Sequence, residues 1–167
     1  MKEKVVEAEN IVIQGLQDTA RFYGVNEIYA KLYGILFFEE ELSLSELALK
    51  SGYALSTVST CIKSLERWKI VKRRKIPKDR KVYYFAEKDF FEMTKNLMKF
   101  GLEGEVRIML NTIEKSLEIL KDVDDERAKK DIESLGKLKN YYNLTERLGR
   151  WLLKIEESEF VRLLRKV

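Results

Sequence analysis

Two runs of the sequence combine residue types that can bind a polyanion. In the first run, small hydroxyl side chains and cations recur at helical spacing: Ser56, Thr57, Ser59, Thr60, Lys63, Ser64 and Arg67. Hydroxyl groups can bond phosphate oxygens or base edges, and lysine and arginine can reach guanine or phosphate. A solvated helix face is the alternative, but serine and threonine are mediocre helix formers and such a face more usually carries Glu, Lys and Gln. The pattern therefore predicts a helix that enters the major groove of a duplex.

The second run is a block of cations that follows shortly afterwards: Lys72, Arg73, Arg74, Lys75, Lys78, Arg80 and Lys81, with Asp79 among them. Such cations neutralise phosphates, and one at the tip of a loop can enter a narrow minor groove, where the potential is most negative. We expect Asp79 to pair with a neighbouring cation and to fix its direction. Protection of edge strands against aggregation is the alternative function, and it accounts for two or three of the seven cations.

The distribution of charge supports this prediction. Residues 45–81 contain eleven lysines and arginines against three acids, a net charge of +8 in a chain whose total is +4, so the remainder carries −4. A basic segment in a mildly acidic framework is typical of nucleic-acid binding. A solvated surface rich in Lys and Glu explains the later helices, where both signs alternate, but not this segment.

The composition argues against several other classes of function. The chain has 167 residues, one cysteine and no histidine, so zinc or iron–sulfur ligation, a disulfide framework and histidine acid–base catalysis are disfavoured. We expect no metal, no cofactor and no enzyme activity, and we expect Cys61 to be a small core residue. The longest apolar run, at 32–38, is far short of a bilayer span, and the start of the chain lacks a signal peptide. These features predict a cytoplasmic protein without a membrane partner.

The two runs lie on elements that the sequence also predicts. Ser43 and Glu46 form a Ser-x-x-Glu capping box that opens a short helix, and Gly52 suits the left-handed residue that closes it. Ser56 is predicted to cap a second helix, from Thr57 to about Trp68. The inner stripe of that helix is predicted to be Val58, Ile62 and Leu65. Two short helices joined by such a turn are typical of a helix-turn-helix, and the β-hairpin predicted over 70–85 would form a wing.

Amphipathic helices are predicted on both sides of this core. The first carries a stripe of Val5, Ala8, Val12, Leu16 and Ala20; Gly24 ends it and Asn26 caps a second helix that reaches about Phe38. After residue 89, Gly101 and Gly104 interrupt one helical segment. A second segment places Val106, Met109, Leu110, Ile113, Leu117 and Leu120 on one face. A third segment follows residue 125, and a last one aligns Leu148, Trp151, Leu152, Ile155 and Leu163. The predicted organisation is an N-terminal dimerisation helix at 1–25, a winged helix-turn-helix DNA-binding domain at 26–88 and a C-terminal helical dimerisation region at 89–167. The fold class is mainly α, with a small β-hairpin wing and long dimerisation helices at both ends.

An ordered set of segments resembles the MarR-type winged-helix regulators. The segments are Tyr33–Phe38, Leu42–Ala48, Ser56–Trp68, Ile70–Arg73 and Asp79–Lys81. The helix at 29–38 and the Asp-Arg-Lys-x-Tyr-Tyr sequence at 79–84 look most like the GbsR branch. The resemblance covers roughly residues 22–90 and is specific as a set.

This resemblance implies a homodimeric regulator, favoured as a repressor, that binds double-stranded DNA at an inverted repeat. It places the helix of residues 57–68 in the major groove and the wing in the adjacent minor groove. Family wings often carry Asp-x-Arg with the arginine in the groove, whereas here Arg80 follows Asp79 directly and Lys81 stands two residues after it. Many relatives release DNA when a small molecule binds, and the effector here is unidentified. The alternatives are a winged-helix module for protein–protein interaction and a non-specific architectural DNA binder.

Overall fold

The structure, a computed structural model, describes residues 2–155 and 158–159 and divides into two compact units. The first unit covers residues 1–96 and the second residues 97–167. No helix in the described part of the chain combines the length and the hydropathy that crossing a membrane requires.

The first unit begins with two packed helices, α1 (Lys2–Phe22) and α2 (Glu27–Phe38). Asn26 caps α2 as predicted, since its side-chain oxygen accepts a hydrogen bond from the N–H of Ile28 at 3.0 Å. Gly34 gives α1 room, because a Cβ at this position would lie 2.9 Å from Cγ1 of Ile13.

The predicted stripe on α1 is only partly correct. Ile13 and Leu16 pack on the core, whereas Val5 and Val12 are 54% and 47% exposed. The predicted stripe advanced by four residues at most steps and so drifted around a helix of 3.6 residues per turn.

The helix-turn-helix consists of α3 (Leu44–Ser51) and α4 (Leu55–Arg67). The capping box at Ser43 and Glu46 is confirmed, and Gly52 ends α3 with a φ of 74°. The predicted cap at Ser56 is wrong: Ala54 is the N-cap of α4, with no side-chain hydrogen bond. The hydroxyl of Ser56 therefore stands exposed in the first turn of the helix.

A three-stranded antiparallel sheet completes the winged core. Its strands are β1 (Leu42–Ser43), β2 (Val71–Lys75) and β3 (Val82–Ala86), in the order β1-β3-β2. The β2–β3 hairpin confirms the predicted wing. β1 was not predicted, because two residues carry no alternation that sequence periodicity could detect.

The core of the first unit lies between these helices and the sheet. The side chains with least exposure there are Leu32, Leu36, Leu47, Val58, Ile62, Leu65 and Val71. The predicted inner stripe of α4 is thus confirmed, and Cys61 beside it is buried at 6% exposure. Burial raises the pKa of the Cys61 thiol, as expected for a small core residue.

The second unit is helical. α5 (Phe90–Gly101) contains the boundary between the units and continues through a π-helical turn (Leu102–Val106) into α6 (Arg107–Leu120). Gly101 and Gly104 therefore mark a change of helical pitch rather than a break. α7 (Glu126–Leu152) is one continuous helix, so the prediction of two separate helices after residue 125 is wrong; Leu163 lies outside the described residues.

Candidate nucleic-acid interface

The first surface of the candidate site is the outward side of α4. Ser56, Thr60, Lys63 and Arg67 are exposed, while Thr57, Ser59 and Ser64 are half-buried. Val58, Ile62 and Leu65 fix the rotation of the helix, since all three are essentially removed from solvent. The hydroxyl of Thr60 donates to the carbonyl oxygen of Ser56 at 3.0 Å, so its lone pairs and its methyl group remain available to a ligand.

The second surface is the wing, and the base of the wing is internally compensated. Three cations of β2 form ion pairs there: Lys72 with Glu87, Arg73 with Glu66, and Arg74 with Glu41. Both Nε and Nη2 of Arg74 donate to the two carboxylate oxygens of Glu41, which is the strong bidentate geometry. The hydrogen bonds that Arg74 donates to Glu41 raise the pKa of the Arg74 guanidinium.

The ion pair between Arg73 and Glu66 links the wing to α4, whose outward side is the first surface of the candidate site. Nε of Arg73 lies 3.3 Å from Oε1 of Glu66, which belongs to the last turn of α4. This ion pair lies where the last turn of α4 meets β2. The two predicted runs of cations therefore lie on neighbouring elements of one unit.

The tip of the wing differs from its base. Lys75, Lys78, Arg80 and Lys81 are all exposed, and none of them forms an ion pair with any residue that the structure describes. A cation without a bonded carboxylate can approach a phosphate with no internal partner to displace. The tip is consequently the part of the wing best suited to bind a polyanion.

The loop that joins β2 to β3 is held by hydrogen bonds. The N–H of Asp79 donates to the carbonyl of Ile76 at 3.1 Å, and Lys78 adopts a φ of 69°. With Pro77 as the first central residue, this arrangement has the features of a type II turn, whose second central residue is usually glycine. Lys78 thus stands at the apex of the loop, in a backbone conformation that residues with a Cβ rarely adopt.

Asp79 does not act as the sequence predicted. One oxygen of its carboxylate accepts from the backbone N–H of Lys81 and the other from the hydroxyl of Tyr83, both at 2.9 Å. These bonds lower the pKa of Asp79, and the same contact raises the pKa of Tyr83. The expected ion pair with a neighbouring side chain is replaced by a contact that closes the loop.

Sequence reasoning missed two groups of residues in this region. Glu41 and Glu87 lie outside the basic segment in sequence, so its net charge of +8 overstates the charge that reaches solvent. Tyr83 was not predicted as a functional residue, but strand alternation could have separated it from the buried Tyr84. Within the described residues, no cluster of three metal-ligating side chains is present.

Comparisons with known proteins agree with this geometry. Residues 39–75 match the family model of the IclR helix-turn-helix domain, a segment that runs from before β1 through α3 and α4 to the end of β2. Across most of its length the chain is similar to the HTH-type transcriptional repressor GbsR of Bacillus subtilis (strain 168). The two are 26% identical over 166 residues, which cover 94% of this chain and 92% of the repressor.

A solved structure shares the fold. It is a crystal structure described as a transcriptional regulator, with a TM-score of 0.67 and 15% identity, and the match covers 87% of this chain and 95% of that chain. The mainly helical architecture with a small antiparallel sheet is therefore that of winged helix-turn-helix proteins.

Proposed function

We propose that this chain, which is 26% identical to the repressor GbsR over 94% of its length, is a GbsR-like transcriptional repressor of the MarR type that binds double-stranded DNA in a sequence-specific manner. One observation carries the proposal. A helix with an outward face of hydroxyls and cations meets, at the ion pair of Arg73 with Glu66, a wing whose tip cations form no ion pair with the described residues. The outward face of α4 can contact base edges in a major groove, and the cations of the wing tip can contact phosphates.

In this proposal the residues divide by task. Thr60 and Lys63, with Ser56, Thr57, Ser59, Ser64 and Arg67 around them, read the sequence. The tip cations Lys75, Lys78, Arg80 and Lys81 supply most of the salt-dependent affinity, because neutralising phosphates releases counterions. Arg73 contributes through the wing base, where it is already paired with Glu66.

The same proposal includes a homodimer. Residues 26–88 form the DNA-binding part, and residues 1–25 and 89–167 supply the contacts between two copies. Exposed apolar side chains on the long helices support this division: Val6, Ile11, Ile108, Ile119 and Leu144. Two-fold symmetry would place two α4 helices in successive major grooves, with half-sites roughly 10 bp apart between centres.

A small-molecule effector is the remaining part of the proposal. A cavity of about 330 Å³ in the second unit is lined in part by Tyr142, Glu105 and Met98. It is large enough for a small ligand. Its walls belong to α5, the π-helical turn and α7. Thermal-shift screening of small molecules against Tyr142→Ala and the parent chain would identify a ligand that stabilises only the parent.

The proposed role of α4 in reading the DNA sequence is tested by truncating two of its exposed side chains. A Thr60→Ala/Lys63→Ala variant and the parent chain are each used to select sites from random duplex DNA. We expect the variant to select a motif with relaxed preference at one or two positions of each half-site, because each good base contact contributes about 1–3 kcal/mol of discrimination.

A matched control replaces two residues of equal type away from this face, Thr112→Ala and Lys115→Ala on α6. That variant should select the parental motif. An unchanged motif from the Thr60/Lys63 variant would contradict the assignment of α4. Binding without any motif in the parent chain would favour an architectural DNA binder, and no binding would favour a module for protein–protein contact.

A further inference from the structure

The loop at the tip of the wing holds a lysine in an unfavourable backbone conformation. Lys78 has a φ of 69° at the position of a type II turn that glycine usually occupies. Glycine would adopt this conformation without the steric penalty that a Cβ introduces. A non-glycine residue in such a region persists only when its surroundings impose it, and residues of this kind cluster at functional sites.

Asp79 and Tyr83 supply the surroundings that impose this conformation. Asp79 bonds forward to the N–H of Lys81 and across to the hydroxyl of Tyr83, each at 2.9 Å. Tyr83 is itself anchored in β3, the central strand of the sheet, where it stands opposite Ser43 on one side and Arg74 on the other. The loop is thereby bonded to the central strand of the sheet.

The ionisation state of the pair is consistent with a strong bond. The hydrogen bonds that Asp79 accepts hold its pKa below the ordinary value, so the carboxylate remains charged at neutral pH. The bond to Asp79 raises the pKa of Tyr83, so the phenol keeps the proton that it donates. In these states the phenol of Tyr83 donates and the carboxylate of Asp79 accepts, as the contact shows.

From this geometry we infer that Asp79 and Tyr83 are positioning residues, which hold the wing tip so that Lys78 is presented to DNA. The inference rests on the proposed function and assigns Lys78 as the apex contact of the wing. Asp79 acts by shaping the backbone of the loop. Its negative charge would repel a nearby phosphate, but its carboxylate closes the loop by accepting the hydrogen bonds of Lys81 and Tyr83. Tyr83 makes no DNA contact in this account and acts only through Asp79.

A double-mutant cycle on the full-length protein tests the inference. Tyr83→Phe removes one hydroxyl, and Lys78→Asn removes the cation while keeping a residue type that enters the left-handed region readily. Affinity for the selected DNA site is measured for the parent chain, both single variants and the double variant. We expect Tyr83→Phe to weaken binding about 3-fold or more, the loss that one hydrogen bond provides.

The combination carries the decisive result. The double variant should bind no more weakly than Lys78→Asn alone, because in this inference Tyr83 affects affinity only through the position of Lys78, while Lys75, Arg80 and Lys81 remain in both variants. Additive losses would overturn the inference, since they would mean that Tyr83 acts on DNA independently of Lys78. Equal affinity of Tyr83→Phe and the parent chain would also overturn it.

A control and a rescue separate positioning from general damage. The hydroxyl of Tyr33 donates to the carbonyl of Glu87 at 2.9 Å, so Tyr33→Phe removes a comparable bond and should leave affinity for DNA unchanged. Asp79→Asn keeps an acceptor for the N–H of Lys81 and a polar partner for Tyr83, so it should bind at least as tightly as the parent chain. Asp79→Ala should bind more weakly than both.

The outcomes also separate this inference from the proposed function. A parent chain that fails to bind any duplex would contradict the proposed function itself. A parent chain that binds its selected site, with Asp79→Asn weakened as much as Asp79→Ala, would contradict only the positioning role, because the charge of Asp79 would then be what matters.

Discussion

Two arginines of the wing differ in one respect that an experiment can isolate. Arg80 takes part in no ion pair with the described residues, whereas Arg74 is bonded through two nitrogens to Glu41. Replacing either residue by glutamine removes one positive charge per protomer. If the two arginines contributed equally, the two variants would lose the same affinity for DNA.

The structure predicts unequal losses. Each phosphate neutralised in a duplex adds about 0.9 to the slope of log affinity against log salt. A dimer carrying Arg80→Gln loses two such contacts, so its slope should fall by about 1.8, which corresponds to roughly 60-fold weaker binding at 0.1 M salt. For Arg74→Gln we expect less than half of this change in slope, because Arg74 must leave Glu41 before it can bind phosphate.

The assay is fluorescence anisotropy with a labelled duplex that carries the selected site, titrated between about 50 and 200 mM salt. A Glu41→Gln/Arg74→Gln variant serves as the control, since it removes the whole pair and leaves the net charge unchanged. Its slope should equal that of the parent chain. Equal slopes for Arg74→Gln and Arg80→Gln would refute the argument that internal pairing withholds the base of the wing from DNA.

Two further predictions concern stability and are checked by thermal or urea unfolding. Gly149→Ala should destabilise the chain by about 1–3 kcal/mol through overpacking, because a Cβ there would lie 2.4 Å from Cδ1 of Leu102. Gly136→Ala on the same helix meets nothing within 4 Å and should stabilise by about 0.5–1 kcal/mol, so equal effects would contradict this account of α7. The bonds from Ser43 lower the pKa of Glu46, so their contribution is present above the ordinary glutamate pKa of about 4.3 and is lost as the pH falls through the lowered value. In a Ser43→Ala variant, the free energy of unfolding should therefore fall less steeply on acidification than in the parent chain. An unchanged pH profile would argue against the capping box.

Much of the winged core could be predicted because its signals are local. The capping box at Ser43, the left-handed Gly52 and the stripe on α4 are three such signals. Each of them depends only on residues that are close to one another in the sequence. The start of α4 was misplaced because Ala54 caps it with no side-chain bond, and only the backbone shows such a cap.

The electrostatics of the site could not be predicted in the same way. Glu41 is 33 positions from Arg74, and their pairing follows from the antiparallel arrangement that brings β1 and β2 to either side of β3. The role of Asp79 was mispredicted for a related reason. Its hydroxyl partner Tyr83 is close in sequence, but the contact exists only because the turn at Lys78 folds the loop back on the strand.

Selection of random duplex DNA on the full-length protein, repeated at about 50 and 200 mM salt, tests the central claim most directly. The account predicts an inverted-repeat motif with half-sites roughly 10 bp apart and affinity that falls steeply as salt rises. Recovery of no motif, or binding that does not depend on salt, would contradict it.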